Sequence, residues 1–201
     1  MGRIVKNKMT SKPGSCGKSI RSISISGPIT EESATQCIAQ LLFFSQNRST
    51  LPISLRIDSP GGHVSASIAI IRTIDDLRCP VSTYCIRQAG GTAAAIAAHG
   101  ARGFRAASAA ALFGFASTFV ERSRGYVEAE ISQFDQALIE LLAEDTGKHE
   151  QEVCSLFQAE QTLTASEALA FGLIDSVSEL PTLRAERPEG WIGRIRRSLG
   201  Y

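Results

Sequence analysis

The chain has 201 residues, 43% of them hydrophobic and 20% charged, with a net charge of +1. That length and balance fit one globular domain able to bury a core. They exclude a general affinity for nucleic acid or for an anionic membrane surface, and no apolar run reaches the roughly 18 residues that a membrane span takes.

Residues 1–20 are basic and polar, without the apolar stretch of a secretory signal, and read as a flexible arm. RSISISG (21–27) alternates polar and apolar residues, which predicts a strand stopped at Gly27. Thr30, Glu32 and Ser33 behind Pro28 give helix-start chemistry, and Ala34, Cys37, Ile38, Leu41 and Leu42 recur at helical spacing. PISLRID (52–58) predicts a second strand, and Val64, Ile68, Ile71 and Ile74 mark a second helix. PVSTYCI (80–86) predicts a third strand, RQAGG (87–91) a turn, and the small residues after it a helix. A strand is expected near ALFGF (111–115) and a long amphipathic helix over 127–145. Thr164 and Glu167 form a capping-box start for a helix that Gly172 stops, and LIDSV (173–177) predicts a short strand. Residues 181–201 are a basic tail. Strands alternating with helices predict an α/β domain over 21–180 with a mostly parallel sheet.

The five cysteines, Cys16, Cys37, Cys79, Cys85 and Cys154, are odd in number and widely spaced. They argue for a reducing compartment and against a disulfide framework or a zinc site. No metal or cofactor is expected.

Two stretches carry chemistry. Ser59-Pro60-Gly61-Gly62 bends sharply between a strand and a helix, and N–H groups exposed there can hold a developing oxyanion. The junction Arg87–Ala93 is a strand–turn–helix elbow, a place where hydrolases put a nucleophile. It holds Gly90 and Gly91, and its only hydroxyl is that of Thr92. The histidines are His63 beside the glycine turn, His99 at a helix end and His149 in a charged loop. The first reads as a helix-start or surface residue, or as the best substitute base; the other two read as solvated.

Three segments in order, Asp58-Ser59-Pro60-Gly61-Gly62, Arg87-Gln88-Ala89-Gly90-Gly91-Thr92-Ala93 and Thr164-Ala165-Ser166-Glu167-Ala168 through Phe171-Gly172-Leu173-Ile174-Asp175, resemble the proteolytic subunit family of the Clp protease. The family's motifs read Asn-Ser-Pro-Gly-Gly, Gly-Gln-Ala-Ala-Ser-Met-Gly and Ser-Ala-Glu-Glu-Ala through Tyr-Gly-Leu-Val-Asp. The likeness runs from about Arg21 to Val177. It implies a Clp- and crotonase-like ββα spiral, a single domain with a projecting handle helix over 127–145.

It also implies a site emptied of chemistry. The family's serine falls on Gly91, its histidine on Ala116 and its aspartate on Glu160, with oxyanion N–H groups at Gly61, Gly62 and Thr92. Without nucleophile and base, what an oxyanion hole alone supplies is too little for peptide bonds. The resemblance therefore implies a non-catalytic, structural or regulatory subunit of an oligomeric ring, alone or mixed with active Clp-type subunits, in the cytoplasm. Peptide remains a possible ligand.

Ring contacts would come from Phe134, Leu138 and Leu141 on the amphipathic helix, unless that stripe packs on its own domain. Ser54 and Arg56 stand where the family has pocket-lining tyrosines, which weakens unfoldase docking, and the segment after Ala116 is about five residues shorter than the family's. The alternatives are an active hydrolase using Thr92 with His63, or a crotonase-like acyl-CoA enzyme that uses the glycine N–H groups.

Overall fold

The computed structural model describes residues 21–46, 51–115 and 128–178, and the side chains of 128–135 are not among them. The arm at 1–20, the tail at 181–201 and the segment holding Ala116 lie outside the described residues.

β1 (Ser22–Ser26), β2 (Ile53–Ser59) and β3 (Val81–Gly90) run parallel and in order. Ile23, Ile25, Ile53, Leu55 and Ile57 point to one face and are at most 6% exposed. Ser22, Ser24, Ser26, Ser54 and Arg56 alternate with them on the other face. A parallel sheet usually reads as unbroken apolar strands because helices cover both sides. Here the pattern is period two because only one side is fully covered, and that alternation made the strands legible.

Helices α1 (Glu31–Gln46), α2 (Val64–Asp75) and α3 (Thr92–Ala98) cover the apolar face. All seven residues of α3 are buried, six of them alanine or threonine. Small side chains let this helix lie close to β3 while α2 and a later helix press on it.

β3 is the hub of the sheet. Its first half pairs with β4 (Arg105–Ala107), and its last three residues pair with β5 (Leu112–Gly114), so the sheet forks. RQAG, read from sequence as part of a turn, continues the strand, and only Gly91 turns. Against β2 the register jumps, Ile57 facing Cys85 and then Ser59 facing Ala89, which leaves extra residues in β3 around Arg87.

The long helix is present as α4 (Glu128–Thr146), followed by α5 (Glu150–Gln158), β6 (Thr162–Thr164), α6 (Ala165–Phe171) and β7 (Ser176–Val177). β6 joins β5 antiparallel, and β7 joins β4 parallel. The α/β expectation with a mostly parallel sheet therefore holds, while α5, β4 and β6 are additions to the sequence reading. Those strands have three residues each and α5 nine, too short for periodicity to reveal. α6 begins with the expected capping box, Thr164 and Glu167 each bonding the other's backbone N–H, and ends at left-handed Gly172.

One apolar helix stripe is used differently from what its exposure in sequence suggested. Leu138 is 0% exposed and packs with Ile139 and Leu142 into the chain's own core, against α3 and α5. The expectation of Leu138 as an oligomer contact is corrected: periodicity shows that a stripe is apolar but not what covers it. Leu141 is only partly buried, and the side chain of Phe134 lies outside the described residues. Among the described residues no helix is long and apolar enough to cross a membrane.

Candidate functional site

Ser59 ends β2 fully buried, and its Oγ accepts the Gly61 N–H at 3.1 Å, which tightens the turn. The turn is stitched to the β1–α1 connection: the Ile29 N–H donates to the Gly61 carbonyl, and the His63 N–H donates to the Ile29 carbonyl, both at 2.9 Å. His63 then caps α2 in an extended conformation.

The elbow lies against this turn. A Cβ on Gly90 would stand 2.3 Å from the Pro60 carbonyl oxygen, so backbone touches backbone and no larger residue fits as the loops stand. Gly91 has φ 45° and ψ −107°, a conformation that L side chains rarely adopt. Its N–H donates to the Gly114 carbonyl at 2.7 Å, and its carbonyl accepts the first bonds of α3 from Ala94 and Ala95. The sharp strand-to-helix elbow is thus intact, with no side chain at its apex.

Thr92 is 2% exposed, and its Oγ1 accepts the Gly62 N–H at 3.1 Å. The fallback nucleophile is therefore already a hydrogen-bond acceptor, held against the glycine turn. His63 is 5% exposed rather than on the surface, and its Nδ1 is buried with no hydrogen-bond partner among the described residues. Among the described residues no hydrogen bond joins His63 to Thr92.

Glu160 has a structural explanation. It is the only described non-glycine residue with positive φ, at 48°. Its N–H bonds the Phe157 carbonyl, and the next N–H, of Gln161, bonds the Leu156 carbonyl. These are the two bonds of a Schellman cap on α5, with glutamate in the position that usually takes glycine. The exposed carboxylate is a consequence of where the helix stops.

Of the other two histidines, only one is solvated as expected. His149 is an exposed N-cap of α5, as a loop residue can be. His99 instead is held between two carboxylates, Nδ1 2.9 Å from Asp145 Oδ2 and Nε2 2.9 Å from Asp75 Oδ1. Burial works to lower its pKa, but the hydrogen bonds and charges of Asp145 and then Asp75 outweigh burial and hold it above the ordinary value.

Beside it, buried Arg105 grips Asp175 through Nε and Nη2 at 3.0 and 2.7 Å and donates from Nη1 to the Ala98 and Asp145 carbonyls. Burial pushes the Asp175 carboxyl up, but bonds from Arg105 and the Gly103 N–H hold it below the usual range. Asp175 is the last residue of the third quoted segment; nothing local in the sequence names a partner 70 positions away.

Two departures from the quoted motifs also meet. Asp58, where the motif has asparagine, pairs with Arg87, where it has glycine, at 2.6 Å. Burial pushes the Cys37 and Cys85 thiols up to about 12, in the latter case helped by Asp58, so neither is a nucleophile at neutral pH. Among the described residues no cluster of potential ligands could hold a metal ion.

Comparison with known proteins agrees with the fold. Residues 15–181 match a model of the Clp protease family. Proteins named ATP-dependent Clp protease proteolytic subunit 2, from Chlamydia trachomatis serovar D and serovar A, are each 34% identical over 167 residues, covering 78% of this chain and 80% of theirs. The subunit of the same name from Chlamydia muridarum matches to the same extent. With three motif segments, a forked parallel sheet and these matches in agreement, the chain belongs to the Clp protease family.

Proposed function

We propose that this chain is a Clp proteolytic-subunit relative without peptidase chemistry, acting as a structural or regulatory subunit of an oligomeric ring. The observation that carries the reading is Gly91: an elbow of the right shape has no atom at its apex able to attack a carbonyl. Ala116, at the position of the family's base, cannot take a proton, and Glu160 has no imidazole to orient. The burial of Thr92 and its bond to Gly62 argue against a displaced threonine nucleophile.

Assembly into a homo-oligomer or a mixed ring with active Clp-type subunits is part of the same reading, with Phe134 and Leu141 as contact residues. The free cysteines Cys37, Cys79, Cys85 and Cys154 suit a reducing compartment such as the cytoplasm. Purified protein should neither turn over short fluorogenic peptides nor react with fluorophosphonate or β-lactone probes. Its native mass, alone and mixed with an active Clp subunit, should exceed that of a monomer in at least one case. Stoichiometric labelling at Thr92, or a monomer in both mixtures, would overturn the reading.

A further inference from the structure

We propose that the anion-binding position of this site is latched shut, a block to acyl transfer separate from the missing nucleophile and base. The proposal rests on the reading that Gly91 and Ala116 occupy catalytic positions, and two observations carry it beyond that reading.

The first is Thr92. An N–H group stabilises an oxyanion only if it is free to donate when charge develops. The Gly62 N–H already donates to Thr92 Oγ1 at 3.1 Å, within a contact where Thr92 is nearly sealed from solvent. The motif that this segment resembles has methionine at that position, whose side chain offers no oxygen. Threonine supplies the acceptor, and an oxyanion would have to displace it.

The second is Gly90. The motif has alanine there. In this chain the Pro60 carbonyl oxygen lies 2.3 Å from where an alanine Cβ would be, and the Pro60 carbonyl carbon 2.7 Å from it. An alanine could not coexist with the turn in this position. Glycine at 90 and threonine at 92 thus act together: one removes the atom that would hold the Pro60–Gly61–Gly62 turn away from the elbow, and the other bonds the turn's N–H once it has closed. Each change has a direct contact with the turn, and neither is explained by loss of the nucleophile.

The latch is tested first on the amide itself. Thr92→Val keeps the shape of the side chain and removes its acceptor. Hydrogen exchange at the Gly62 N–H, read by nuclear magnetic resonance, should be at least tenfold faster in T92V than in wild type, with exchange in β2 and α1 unchanged. Equal Gly62 exchange in the two proteins overturns the proposal, whatever the enzyme assays give.

The second arm starts from Gly91→Ser/Ala116→His and measures the rate of fluorophosphonate reaction at position 91. There the introduced hydroxyl oxygen bonds phosphorus, fluoride leaves and the proton passes to the introduced imidazole. Adding Thr92→Val, or Gly90→Ala, should raise that rate by about tenfold or more, in line with the 10²–10³ that a single oxyanion donor contributes. A parent variant that reacts as fast as its derivatives overturns the latch. Peptide turnover by the wild-type chain would instead overturn the emptied-site reading, which keeps the two failures apart. Thermal melts of each variant establish that the compared proteins are folded.

Discussion

The elbow and the polar hub behind it are built on opposite terms. At the elbow Pro60 and Gly61 meet Gly90 backbone to backbone, and among the elbow's side chains only Thr92 bonds the turn. At the hub, on the far end of α3, Arg105, Asp175, His99, Asp75 and Asp145 join β4, α2, α3, α4 and the segment before β7 through side-chain bonds of 2.7–3.0 Å. Buried charge is costly unless paired. Among the described residues this molecule keeps it where it ties helices to the sheet.

The hub should be the easier region to break. Arg105→Ala removes four side-chain bonds and leaves Asp175 with no cation among the described residues. Breaking one partner of such a pair costs about 3–5 kcal/mol, so denaturant midpoints should fall steeply, or the variant should fail to fold. At the elbow the test is of bulk. Gly90→Ala should cost about 1–3 kcal/mol as the Pro60 turn is pushed away. A neutral Gly90→Ala would mean that the turn moves freely, and the contrast between the regions would lose its steric half.

The pH dependence of stability should come from the hub. His99 has a raised folded pKa, so the native state binds its proton more tightly than the unfolded chain does. Its contribution is complete below the ordinary histidine value of 6.5 and is lost as pH rises through the folded value. The neutral ring has one N–H, so one of Asp75 and Asp145 then loses its donor. Asp175 works the other way: its folded pKa is lowered, so its contribution is present above the ordinary value of 3.8 and is lost as pH falls through the folded one. Unfolding midpoints measured across pH should show both slopes, and His99→Gln should remove only the alkaline one. The smallest effect has the opposite sign. Glu160→Gly relieves a positive φ at an exposed helix cap and should stabilise by about 1 kcal/mol. A destabilised variant would show that Glu160 has a partner beyond its cap.

Much of this was legible in the chain, and what was not has a common cause. β1 and β2 announced themselves by period-two alternation, α2 and α4 by helical spacing, and the α6 start by Thr164 and Glu167 three residues apart. The bareness of the elbow is itself a fact of sequence, since Gly91 cannot acquire a side chain by folding. Short elements escaped, because three-residue β4 and β6 hold too few residues to show a period.

What the sequence determined by itself was therefore local: which segments are strands and helices, where caps and sharp turns fall, and which residue types stand at the elbow. Only the tertiary structure decided the rest. It placed His99 between carboxylates 24 and 46 positions away, paired Arg105 with Asp175 70 positions away, buried Leu138 inside the chain, and brought Thr92 onto the Gly62 N–H across 30 residues. Periodicity and capping act within a few residues, whereas these partners meet only after parallel strands and their crossover helices have stacked. The same local pattern is compatible with many long-range pairings, and the packing of the sheet chooses among them.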